Sequence, residues 1–152
     1  MNEELSRLVS LSNRYDLNEY EALGILNQGV LVIARQILDI SRATGNSVVV
    51  KYLKLSYHYL KLLQDDLILV QNSLIQNEEV SLTTKVIEVP QWEEVYEQNS
   101  AQIIALIDKL NEVFNIMYDI IETYLTMKSY AFVIKENLQQ IMNVLSVIAI
   151  GL

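Results

Sequence analysis

His58 is the only histidine in the chain and there is no cysteine, so side chains able to act as base, nucleophile or soft metal ligand are scarce. Without cysteine there are no disulfides, thiolate metal sites or thiol nucleophiles. A lone histidine works as a general base only when a partner orients it, and Leu55 stands three residues before His58, where a carboxylate would be needed. Ser56 and Thr44 fall on inward-facing positions of the pattern described below. Neither has a base in sight, and both are expected to donate to a carbonyl one turn back in their own helix. The four glycines, Gly24, Gly29, Gly45 and Gly151, are isolated and build no phosphate-cradling loop. Acids are plentiful, and inside a helical bundle they could hold a pair of metal ions. That chemistry takes a glutamate from each of two helices and a Glu-x-x-His pair from each of the other two. The pair is missing. No catalytic residue, metal ligand or cofactor is assigned.

The charge balance narrows the partners. Eleven basic residues face nineteen acidic ones, for a net charge of −8, and the densest basic cluster is Lys51, Lys54 and Lys61. Nucleic-acid binding depends on concentrated lysine and arginine, so nucleic acid is not the expected partner. The composition is 51 % hydrophobic with a mean hydropathy of +0.21, which calls for a broad core or for a surface buried against another subunit. The longest apolar run, Val144 to Leu152, is interrupted by Ser146 and falls well short of the roughly 20 residues of a membrane span. The acidic start, Met1-Asn2-Glu3-Glu4, is unlike a secretory leader. A cytoplasmic location is expected.

The elements that would position these residues are helices. One proline and four glycines in 152 residues leave little turn chemistry. Apolar residues step alternately by three and four in four stretches. The first runs Leu23, Leu26, Val30, Ile33, Ile37, Ile40, and the second Val49, Leu53, Ser56, Leu60, Leu63, Leu67, Val70, Leu74. The third runs Ile103, Ile107, Leu110, Phe114, Met117, Ile121, Tyr124, and the fourth Ile134, Leu138, Ile141, Leu145, Ile148, Leu152. That repeat keeps one seam on one side of each helix and implies left-handed packing near 20°. The fold class predicted is all-α: four long antiparallel-type helices in a left-handed bundle, preceded by a short helix. The spacing predicts helices over 3–13, 17–44, 47–76, 91 or 100 to 126, and 130–150, all in a single domain, 1–152.

Relative to these seams Glu112, Asp119, Glu136, Asp65, Asp39 and His58 lie two residues off, about 200° round the helix, and are expected to face water. Asp16 and Glu19 read as a capping box opening the second helix. Gly45-Asn46 reads as its left-handed stop. Between 77 and 89 the pattern changes to alternation, with Val80, Leu82 and Val86 on one side. Extended at about 3.3 Å per residue, this stretch is long enough to return the chain along the whole bundle. A crossover there would share its outline with ferritin-like and cytokine-like bundles. Pro90 would then occupy the first helical position, with Ser100 as the cap of a second break.

Beside the main seams run extra apolar positions. Tyr52, Leu55, Tyr59 and Leu62 form a second stripe on the third helix, and Ile25 and Val32 (with Leu31) widen the second. Tyrosines suit half-wet interfaces, so these residues are the interface candidates. Trp92, the only tryptophan, follows the only proline and reads as a plug pinning the crossover, or as a binding anchor. The expected function is that of a non-catalytic helical module which self-associates, as a dimer first, or docks on another protein. One alternative is a bundle of ferritin-like outline holding a metal or small ligand in its core. Another is peripheral membrane association through the last helix.

Overall fold

The computed structural model describes residues 2–152, apart from the side chains of Asn2 and Lys128. Five helices account for nearly all the regular structure, and no strand occurs among the described residues. They are α1 (Asn2–Ser12), α2 (Glu19–Ala43), α3 (Ser47–Gln76), α4 (Ser100–Tyr124) and α5 (Lys128–Gly151).

The predicted seams are the core. From Leu23 to Ile40, Val49 to Val70, Ile103 to Ile121 and Ile134 to Ile148 every seam residue is buried, and only the end members Leu74, Tyr124 and Leu152 emerge. One apolar cluster joins all four long helices. α2 packs on α3 and α4, and α5 packs on the same two, while α1 lies across α2 and α4. Paired residues step in opposite directions along the α2–α4 and α4–α5 contacts. Gln36 meets Leu106 while Glu19 meets Thr126; Tyr118 meets Gln139 while Glu122 meets Lys135. The helices of both pairs are therefore antiparallel. Gly29 lets α2 and α4 approach closely, because a Cβ there would sit 2.7 Å from Met117 Sδ.

Several joints differ from the sequence reading, each for a physical reason. Two offset capping boxes are present, and the one used is Asn18 with Glu21: Asn18 Oδ1 accepts from the Glu21 amide at 2.7 Å and Glu21 reaches back to the Asn18 amide. Asp16 is exposed. Leu17 and Ala22, the two positions that flank an N-cap at Asn18 in a hydrophobic staple, are both buried, which favours this choice. Glu19 is thereby freed to accept from the amide and hydroxyl of Thr126, tying the start of α2 to the α4–α5 turn.

Gly45 is not left-handed; among the described residues the only positive φ belongs to Asn77, at 54°, which ends α3. The α2–α3 turn needs no such glycine because other groups satisfy it. Asn99 Nδ2 donates to the Ala43 carbonyl at 2.7 Å, Asn46 Oδ1 caps α3 through the Val48 amide, and the Thr44 hydroxyl donates to the Glu97 carboxylate. Thr44 thus bonds across the fold rather than one turn back. Ser56 does bond one turn back, to the Tyr52 carbonyl at 3.0 Å.

Helix α4 begins at Ser100, not at Pro90, with Asn99 at the cap position. The crossover therefore spans 77–99 rather than 77–89. Its path is fixed by α5, whose side chains accept from strap amides where a neighbouring strand would. The Val80 amide donates to the Tyr130 hydroxyl (3.0 Å), the Lys85 amide to Asn137 Oδ1 (2.8 Å) and the Ile87 amide to Gln140 Oε1 (2.7 Å). Val80 and Leu82 face inward as the alternation predicts, but Val86 is 77 % exposed. The phase breaks at Lys85, which turns inward to Asp66, at 2.6 Å, and brings Ile87 in behind it.

Candidate docking face

The interface candidates separate into two groups. Ile25 and Val32 are buried within the core, and Tyr52 is 1 % exposed. These three are not available to a partner. Burial of the Tyr52 ring and the nearby Glu93 carboxylate both raise the Tyr52 pKa, its hydroxyl donates to the Pro90 carbonyl, and its ring meets Trp92. Leu55, Tyr59 and Leu62 are half-buried.

The reason is the crossover. Tyr52 and Asp66 stand at opposite ends of the stripe that holds Leu55, Tyr59 and Leu62, and both ends are taken: Tyr52 by Pro90 and Trp92, Asp66 by Lys85. The second apolar stripe of α3 faces the chain's own strap. Trp92, toward the later part of the strap, is packed between Tyr52 and the last turn of α5, where a Cβ on Gly151 would lie 2.2 Å from the ring.

A different apolar face is left without a partner. It lies on the outside of α2 and α3 and was not among the residues singled out above, except for Leu31. Leu31 (51 % exposed), Leu38 (44 %) and Tyr57 (42 %) wall a groove of about 660 Å³ whose floor is Ile37 and Leu53. Glu4, Arg35 and Lys54 form its rim, with Arg35 3.9 Å from Glu4. Lys61 lies over the Tyr57 ring, 5.9 Å from its centre, a cation–π placement. The signal for this face is a second set of three-four steps. Leu31, Ala34 and Leu38 carry it on α2, with Tyr20 and Asn27 in phase, while on α3 Val50, Tyr57, Ile68 and Ile75 keep the phase at wider steps of seven and eleven. The polar residues Lys54, Lys61 and Gln64 interleave with it on α3 and mask it.

The side chains that could do chemistry are dispersed. His58 is exposed, as are Glu112, Asp119, Glu136 and Asp65, while Asp39 is half-buried. Among the described residues no three His, Cys, Asp or Glu side chains come together in a metal-holding group. The polar groups that do cluster, Asp66 with Lys85 and Asn137 and Glu97 with Thr44 and Asn99, hold the two halves of the strap. Among the described residues one helix, α2, is long and apolar enough to cross a membrane, and 56 % of its apolar window is buried inside the fold. Its hydropathy is that of a core helix. No protein-family model, curated protein or solved structure matches the chain.

Proposed function

We propose that the protein is a non-catalytic helical module, a left-handed bundle of crossover type, that docks on a protein partner or on itself through the outer face of α2 and α3. One observation carries this reading. The domain covers one of its surplus apolar stripes with its own strap and leaves the other, walled by Leu31, Leu38 and Tyr57, open to water. Contiguous apolar patches of this kind mark interaction sites on soluble proteins, and burying one contributes about 25 cal/mol per Å² against the entropy of association.

The test is a Leu38→Glu, Tyr57→Glu double variant. Both side chains are half-exposed, so helix content and melting temperature should hold. Wild-type protein is expected to self-associate with rising concentration in sedimentation, or to select helical peptides from a displayed library, and the variant to lose that behaviour. A wild type that stays monomeric and selects no peptide refutes the reading.

A further inference from the structure

The charge around the groove points to what fills it. Between residues 34 and 64, the second half of α2 and the first half of α3, the sequence holds five of its eleven basic residues: Arg35, Arg42, Lys51, Lys54 and Lys61. It holds one of its nineteen acids there, Asp39. A chain of net charge −8 thus places nearly half of its basic residues on the two helix halves that build an open apolar groove. The cations also sit on the right surfaces. Arg35 and Lys54 line the groove, where the one acid is Glu4, 3.9 Å from Arg35; Lys61 is stacked on the wall residue Tyr57, and Lys51 joins Lys54 and Val50 in an adjoining depression at the α2–α3 turn.

Groove shape selects the form of the occupant. Its walls are two antiparallel helices whose outward residues recur every three to four positions. A third helix fits such a channel, ridge into groove, with anchors at i, i+3 or i+4, and i+7. Leu31 to Leu38 spans one heptad, about 10 Å of helix, the length such a set of anchors needs. A second copy of this chain is a poorer occupant. A two-fold contact sets the same patch against itself, so the basic residues around one copy's groove would be brought up to those of the other. A bilayer is poorer too, since Leu31, Leu38 and Tyr57 wall a recess rather than form the continuous apolar face an interfacial helix presents.

We infer that the α2/α3 groove receives an amphipathic helix of a partner protein whose apolar stripe is flanked by acidic residues. This rests on the docking role proposed above and names the chemistry of the partner. Apolar anchors supply the affinity, while Arg35, Lys54 and Lys61 select against basic helices and speed encounter.

The probe is a fluorescent helix-forming peptide of about 15 residues with leucines at i, i+3 and i+7 and glutamates on both flanks. A second peptide carries lysines in place of the glutamates. The full chain is expected to bind the glutamate peptide, more weakly as salt rises, and the lysine peptide at least tenfold less well. Lys54→Glu with Lys61→Glu, both exposed, should weaken the glutamate peptide roughly tenfold and reverse the preference at unchanged helicity. Leu38→Ser should weaken both peptides without altering the preference. Equal binding of the two peptides, indifference to the charge reversal, or displacement of the peptide by phosphatidylserine vesicles overturns the inference and leaves docking intact. So does a wild-type dimer that Leu38→Glu dissociates. Binding of neither peptide by a wild type that is also monomeric overturns both.

Discussion

The ring of Tyr52 meets that of Trp92 edge-on, with centroids 5.1 Å apart and planes inclined at 65°. This contact joins the first turns of α3 to the later part of the crossover, and on the other side of the indole lies Gly151. Three residues distant in sequence thus form the latch that holds the strap.

The latch has no room for a methyl group at its base. A Cβ at position 151 would lie 2.2 Å from Trp92 Cε2 and 2.5 Å from Nε1, so Gly151→Ala must push the indole out. A loss of about 1–3 kcal/mol is expected, although alanine is the better helix former. Fluorescence of the single tryptophan should shift to the red. An unshifted spectrum at full stability would show that the indole is not seated there.

Farther along the strap, Asp66 and Lys85 form an ion pair at 2.6 Å, with side chains 13 % and 26 % exposed. Removing one partner leaves the other charge partly buried, so Asp66→Ala is expected to cost about 1–3 kcal/mol. Lys85→Met keeps the stem's packing and should cost less. In Asp66→Ala, hydrogen exchange should accelerate at the amides of Lys85 and Ile87 before those of the helices. Uniform acceleration would mean the strap and helices open together.

Alkaline pH should weaken the fold through Tyr118. Burial first, and the Glu136 carboxylate second, push its pKa up to about 12, and its hydroxyl donates to Gln139 Oε1 at 2.8 Å. The folded state therefore keeps a proton that the unfolded chain releases near pH 10. Its contribution is complete below pH 10 and is lost as pH rises toward 12. Tyr52, also raised, adds in the same direction. The melting temperature of Tyr118→Phe should fall less steeply over that range than the wild type's. Parallel curves would remove Tyr118 as a cause.

The seam and its outside should answer oppositely to substitution. Leu63 is fully buried, and Leu63→Asp, which puts an unpaired charge there, is expected to cost more than about 4 kcal/mol and abolish cooperative unfolding. His58→Ala, on an exposed position, should stay within about 0.5 kcal/mol of wild type. Circular dichroism melts of the two variants check both.

What the chain determined on its own is the set of helices and their dry sides. A heptad step places residues on one side of a helix whatever the partner, so Leu23 to Ile40 or Val49 to Val70 could be assigned inward without knowing what they meet. The crossover was readable as extended but not in its end point. Pro90 is compatible with a helix start, and it is tertiary bonds, from Tyr52 to Pro90, Asn46 to Tyr96, Thr44 to Glu97 and Asn99 to Ala43, that hold the chain non-helical as far as Ser100. Nor could periodicity tell the two surplus apolar stripes of α3 apart. Both are regular, and which is covered depends on where a strap more than ten residues away comes to lie. That path was set by tertiary contacts, with Asn137, Gln140 and Asp66 reaching groups on the strap. Those same contacts turned Tyr52 into core and left Tyr57 on the surface.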